Sequence, residues 1–173
     1  VVMFTQEKNM RGALAAKNGA AVITVPDLRW KRRDIKSVAL LAQVLAKQAA
    51  AEAGVAEAWM VEDGKVTEGG SSTSFIITQD GTIVTRELSN ALLPGITRKT
   101  VMRLAQEAQL RVEERAFSVG EAMAAKEAFL TSATSLVLPV VSIDGKPVGD
   151  GKVGPLVTRL RELYLDMAAA TPA

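Results

Sequence analysis

The sequence predicts an α+β domain, and three observations carry that prediction. Short apolar runs bounded by glycine or proline turns recur along the chain. Longer segments repeat their apolar residues at helical spacing, and the two kinds of element mix without regular βαβ alternation. With 173 residues and 48% apolar content, the chain holds enough material for a sizeable core. At this size about 70% of the unfolded surface can be buried, so one domain is the default.

The elements follow in order. Residues 7–18 read as a loop or short helix that stops at Lys17-Asn18-Gly19. Residues 20–25 read as a strand ended by Pro26. A basic turn follows, then a helix over 38–53 with Ser37 as N-cap and Gly54 at its C-terminus. Val38, Leu41, Leu45 and Ala49 give that helix its apolar spacing. Residues 56–61 and 65–67 form a hairpin through Asp63-Gly64. Strands at 75–78 and 82–85 flank Gln79-Asp80-Gly81, and Thr97 is the expected N-cap of a helix burying Val101, Leu104, Ala105 and Ala108. Residues 111–114 read as a strand, and Ser118 with Glu121 reads as a capping box for a helix to Lys126. Strands at 127–131 and 136–143 surround Ser132-Ala133-Thr134-Ser135, Asp144-Gly145 turns, and Pro155 opens a last amphipathic helix to about Ala169.

Composition excludes several classes of function. Twenty-one basic and 19 acidic residues leave a net charge of only +2, and aromatic residues are 4%. That gives neither an electrostatic footprint nor a stacking platform for nucleic acid. Cysteine and histidine are absent, which removes disulfides, thiolate sites, most zinc sites and the Ser-His-Asp triad. Proton transfer therefore falls to Lys, Asp, Glu, Ser, Thr or Tyr, or the chemistry to a cofactor. No apolar run reaches the ~18 residues of a membrane span, and a cytoplasmic protein is expected.

Five places could carry chemistry. Arg29-Trp30-Lys31-Arg32-Arg33-Asp34-Ile35-Lys36-Ser37 is either a solvated basic turn or the seat of a reactive lysine. Lys36 would stand ahead of a helix N-terminus, whose dipole disfavours the ammonium and leaves a free amine able to form a Schiff base. Glu68 precedes two glycines that let other groups approach closely, so its carboxylate is a candidate partner for a protonated ring nitrogen. Residues 69–74 and 131–135 are rich in hydroxyls and backbone amides. Gly95-Ile96-Thr97 has the make-up of an anion site at a helix N-terminus, although every capped helix shares it.

Taken in order, these motifs resemble the fold-type IV pyridoxal-phosphate aminotransferases, the D-amino acid aminotransferases above all. The residues carrying the resemblance are Asp27-Leu28-Arg29-Trp30, Arg33-Asp34-Ile35-Lys36-Ser37, Val66-Thr67-Glu68-Gly69 and Leu93-Pro94-Gly95-Ile96-Thr97-Arg98. Thr131-Ser132-Ala133-Thr134-Ser135, Pro139-Val140 and Ile143-Asp144-Gly145-Lys146 complete the set. The resemblance implies a large cofactor domain with mixed sheets, a pseudo-barrel and flanking helices. It implies pyridoxal 5'-phosphate on Lys36, which would also move the substrate proton, with Glu68 on the pyridine nitrogen. Ile96 and Thr97 match the phosphate cup, and Ser132 and Ala133 a second loop on the phosphate side. Arg29 matches an arginine near the ring, and Leu93 a leucine on its face. Ser71 and Ser72 match serines behind the ring that would help to hold Glu68. The implied reaction is transamination between an amino acid, D-alanine being favoured, and a 2-oxo acid, in a homodimer.

Some residues depart from the pattern. Ala133 stands where a threonine is typical, Gly70 and Thr73 where serine and asparagine are, and Leu136 where an acidic residue is common. Branched-chain aminotransferases and aminodeoxychorismate lyase share the scaffold and are the alternative readings. The family also carries a small N-terminal domain that nothing here matches. Residues 1–20 are therefore expected to be the interdomain linker and start of the large domain, and 21–173 the cofactor domain.

Overall fold

In the computed structural model of the protein, residues 2–5, 9–10 and 12–170 are described. Val1 and, within the first expected segment, Glu7, Lys8 and Arg11 lie outside them. The rest of that segment holds one short helix, α1 (Leu14–Asn18), stopped at Gly19 with φ of 80°. Then come β1 (Ala20–Pro26), α2 (Leu41–Glu52), β2 (Glu57–Glu62), β3 (Lys65–Gly69), β4 (Thr73–Ile77) and β5 (Ile83–Thr85). The second half runs α3 (Ile96–Glu107), β6 (Val112–Glu114), α4 (Val119–Met123), β7 (Glu127–Ser132), β8 (Leu136–Ile143), β9 (Lys146–Pro147) and α5 (Pro155–Ala170).

The strands form one mixed sheet in the order β3-β2-β1-β8-β7-β4-β5-β6, with β9 on β8. β1 runs parallel to both β2 and β8, and β5 parallel to β6, while the other pairs are antiparallel. A parallel neighbour needs a crossover. Between β1 and β2 that crossover is the basic turn plus α2, so Lys36 lies beyond the carboxyl end of β1. The sheet cannot be flat. β3 and β4 are five places apart in it, about 24 Å at ~4.8 Å per strand. Only residues 70–72 join them, a reach of at most about 15 Å. The sheet therefore curls, as the pseudo-barrel expectation requires.

Two packed layers hold the curl. Inside, Trp59, Phe117, Ile76, Val84 and Ile143 are buried together, with Trp59 and Phe117 edge to face at 6.3 Å. Under α3 and α5, Phe75 and Phe129 stack at 4.5 Å beside Val101, Val157 and Leu160. The two-residue turns at Asp63-Gly64 (φ 51° and 72°) and Asp144-Gly145 (φ 49° and 74°) have the left-handed backbone that their sequences predict. A buried carboxylate opens α5: Glu127 accepts from the amides of Leu156 (3.2 Å) and Val157 (2.9 Å), where the helix dipole favours a negative charge.

Several expectations are corrected. α2 begins at Leu41 after Leu40, and Ser37 Oγ instead accepts from Ala39 N at 3.3 Å in a local turn. Thr97 is the second residue of α3, whose N-cap is Gly95. α4 ends at Met123, short of Lys126; Ser118 caps it as expected, but Glu121 turns to Arg115 at 2.5 Å instead of closing the box. The apolar spacing of α2 marks its outer side: Leu41 is 73% exposed and Leu45 51%, while Ala46 and Ala50 face the sheet. Small residues let the helix lie close to Ala58 and Met60, which turns the leucines outward.

Candidate active site

A cleft of about 760 Å³ opens where the turn after β1, the end of β3, residues 70–73, the start of α3 and the end of β7 converge. Lys36, Glu68, Arg29, Leu93, Ile96, Thr97, Ser71, Ser72, Ser132 and Ala133 all line it. Spread over more than a hundred positions in sequence, these residues are brought together by the curl of the sheet.

Part of its lining is tied into a buried ion cluster. Pro26 ends β1, and Asp27 N bonds to Val61 O at 2.8 Å, so the chain leaves the sheet at a fixed point. The Asp27 side chain is fully buried and accepts from Arg29 Nε at 2.9 Å, Arg29 Nη2 at 2.7 Å and Thr67 Oγ1 at 2.6 Å. Arg29 Nη1 donates to Glu68 Oε1, and the Leu93 amide donates to the same carboxylate at 3.1 and 3.3 Å. Arg33, also buried, makes a fork of two 2.8 Å bonds to Glu62. Burial pushes the Glu68 carboxyl up from its ordinary value, against the pull of Arg29 and the Leu93 amide. Burial acts on Asp27 in the same sense, but there the Arg29 and Thr67 hydrogen bonds outweigh it and hold the carboxyl low. The two carboxylates overcome the burial of the Arg29 guanidinium and push its value up.

Lys36 is exposed at the cleft and makes no hydrogen bond or ion pair among the described residues. Contrary to expectation, Lys36 does not stand at the N-terminus of α2. Lys36 stands five residues before Leu41, and the dipole acts mainly within the first turn. Across the cleft, α3 opens without a side-chain cap, so its first amides face outward unpaired. Gly95 is close-set: an added Cβ would lie 3.2 Å from Thr73 Oγ1. Thr97 is buried, whereas the Ile96 side chain is 70% exposed, which leaves its backbone amide as the useful group.

Ser71 and Ser72 do not hold Glu68. Their hydroxyls both lie 3.2 Å from Glu57 Oε2, which also takes the Ser71 amide, with Lys47 Nζ at 3.5 Å. Glu57 arrives from the start of β2, and no local pattern in the sequence ties it to residues 71–72. Ser132 Oγ accepts from Ser135 N at 3.0 Å, shaping the β7–β8 turn. That turn ends on Leu136 with φ of 58°, an uncommon conformation for a leucine. Arg161 of α5 donates to the carbonyls on either side of it, Val137 O at 2.6 Å and Ser135 O at 3.2 Å.

Two residues without an assigned role belong to the site. Asp27 was part of the motif, but burial alone shows that it anchors Arg29. Thr131, 2% exposed, lines the cleft, and its hydroxyl has no partner among the described residues. It stands directly opposite Thr73 in the β4–β7 pairing, so both side chains share one face. Strand alternation could place Thr131 inside; only the pairing shows what it faces.

The family described as amino-transferase class IV matches residues 1–143. The chain belongs to the class IV aminotransferases. A D-alanine aminotransferase of Bacillus licheniformis is 44% identical over 159 residues, covering 90% of this chain and 56% of that protein. One from Staphylococcus aureus (strain COL) is 41% identical over 146 residues, 84% of this chain and 51% of that protein. Among solved structures, the branched-chain amino acid aminotransferase of Escherichia coli has a TM-score of 0.79. It is 27% identical and covers 90% of this chain and 53% of that one. The holo form of the branched-chain enzyme from Thermobaculum terrenum, which carries PLP, matches with a TM-score of 0.77 and 31% identity, covering 86% of this chain and 50% of that one. This class IV chain thus spans about half the length of the curated relatives it matches. Among the described residues no helix is long and apolar enough to cross a membrane.

Proposed function

We propose that this chain is the cofactor-binding half of a pyridoxal-phosphate aminotransferase that exchanges the amino group of a D-amino acid, such as D-alanine, with a 2-oxo acid. The observation that supports it best is a single cleft joining an unpaired lysine amine, a buried carboxylate and an open helix N-terminus. The residues fit the group. Lys36 Nζ would hold its aldehyde carbon, and Glu68 would face its ring nitrogen. The first amides of α3 at Ile96 and Thr97, with Thr97, Ser132 and the orphaned Thr131 hydroxyl, would hold its phosphate. Ala133 offers only its backbone there, and Thr131 supplies a hydroxyl two residues earlier. When bound, pyridoxal phosphate supplies an electron sink for the bonding electrons at the substrate Cα.

The chain's own groups do the rest. Glu68, fixed by Arg29 and the Leu93 amide, would hold a proton on the ring nitrogen. Lys36 Nζ, exposed in the cleft, would carry the proton to and from the substrate Cα. Leu93 would cover the ring face, and Arg29 would reach the ring only through Glu68. The D-amino acid reading is favoured over the branched-chain one by the 44% identity to a D-alanine enzyme. The branched-chain match is one of fold, at 31% identity to the Thermobaculum terrenum enzyme.

We place a second copy of the chain against the outward face of α2, where Leu41, Val44 and Leu45 stand exposed, with Val38 exposed in the turn before it. Such a contiguous apolar face marks an interaction site. The experiment for the cofactor reading is borohydride reduction of protein loaded with pyridoxal phosphate, followed by peptide mapping. A pyridoxyl group on Lys36 is expected, and one on any other lysine would overturn the assignment.

A further inference from the structure

The Glu68 carboxylate shares its cation. Arg29 sends Nη1 to Glu68 but Nε and Nη2 to Asp27, at 2.9 and 2.7 Å, so one guanidinium serves two buried carboxylates. Asp27 is itself fixed: its side chain is fully buried, and Thr67 Oγ1 donates to Oδ2 at 2.6 Å. The next cation, Arg33, lies 3.5 Å from Asp27 but is committed to Glu62 by its two 2.8 Å bonds. Arg29 therefore cannot turn wholly to Glu68 while Asp27 is charged.

We propose that Asp27 is a positioning residue: it holds Arg29 by its Nε side, draws off part of the guanidinium charge, and so keeps Glu68 basic enough to retain a proton on a ring nitrogen. The proposal rests on the role given to Glu68 above. Its physical basis is competition for one cation inside a low-dielectric cluster, where each carboxylate raises the proton affinity of the other. Burial pushes Glu68 up, Arg29 opposes it, and the Asp27 charge adds to the upward push. The charged groups around Glu68 are Arg29 and Asp27 from the turn after β1, with Arg33 and Glu62 one contact further out. Asp34, Lys36, Lys47 and Arg98 line the same cleft.

The test is carboxyl NMR on the cofactor-free protein with 13C-labelled glutamate, Glu68 being assigned through Glu68→Gln. In Asp27→Asn, Glu68 is expected to titrate at lower pH, with an acid dissociation constant about tenfold larger. In Thr67→Val, Asp27 loses a donor and Arg29 Nη2 an acceptor, so Asp27 draws Arg29 more strongly and Glu68 is expected to titrate at higher pH. Opposite signs are the signature, because general loosening of the cluster would move both variants the same way. With 15N-labelled pyridoxal phosphate bound, the ring nitrogen of Asp27→Asn should move towards its unprotonated shift. An unmoved Glu68, or shifts of the same sign in the two variants, overturns the proposal. A Glu68 shift without a change at the ring nitrogen overturns the role given to Asp27. If Asp27→Asn fails to fold, Thr67→Val and Thr67→Ser decide together: Glu68 should titrate higher in the first and as in the parent in the second, which keeps the hydroxyl, and any other outcome overturns the proposal. The titration is read without cofactor, so it stands apart from the borohydride result: labelling of a lysine other than Lys36 would sink the cofactor reading by itself.

Discussion

Replacing Thr131 by valine should make the cofactor-free protein more stable and the cofactor bind more weakly. The two side chains have nearly the same shape, so the exchange removes a hydroxyl and little else. Thr131 Oγ1 is buried without a partner among the described residues, and an unsatisfied buried polar group costs roughly 1–3 kcal/mol. Thr131→Val should therefore raise unfolding free energy by about 1 kcal/mol, which at this chain length lifts the melting temperature by roughly 2–4 °C. If the hydroxyl meets the phosphate, binding loses a hydrogen bond to a charged group of about 1.5 kcal/mol or more, or at least about tenfold in Kd. Urea unfolding of the cofactor-free protein reads the first effect, and fluorescence titration with pyridoxal phosphate the second. Loss of stability would show that the hydroxyl has a partner in the empty cleft. Unchanged affinity would show that it does not face the phosphate.

Gly154→Ala would bring a methyl to 2.0 Å from Glu127 Cδ and displace the carboxylate that caps α5, so a loss of about 2 kcal/mol is expected in urea unfolding. A loss below half of that would mean that Glu127 moves aside freely. Glu62 is held down to about 2 from an ordinary 4.5, first by its hydrogen bonds from Arg33 and then by that from Lys31. Because the folded state binds this proton less readily than the unfolded one, the stabilisation is present above pH 4.5 and lost as pH falls towards 2. The urea midpoint of Glu62→Gln should accordingly fall less steeply over that interval than that of the parent, and parallel curves would refute the assignment. Paired Leu41→Glu and Leu45→Glu changes should weaken self-association about tenfold or more in sedimentation. An undisturbed oligomer would move the contact away from α2.

Strand and turn positions were readable from local chemistry because they are set locally. Asp63-Gly64 and Asp144-Gly145 adopt positive φ wherever they stand, and Pro155 opens α5 as its missing amide favours. The ordered motifs marked the residues that line the cleft, from Arg29 to Ala133, because those residue types recur together when one ligand must be held. Helix starts were less legible. Ser37 and Thr97 look like caps, yet Ser37 closes a tighter turn and Gly95 occupies the capping position of α3 because it packs against Thr73.

What the sequence by itself determined is the list of elements, the nature of the core and the set of groups available for chemistry, with neither histidine nor cysteine among them. Tertiary structure alone decided which carboxylate each polar group serves. Ser71 and Ser72 serve Glu57, while Arg29 divides itself between Asp27 and Glu68. It also decided which side of α2 is outside. The reason is the same in each case: hydrogen bonds and packing are settled between segments that only the curl of the sheet brings together, and local spacing carries no record of that closure.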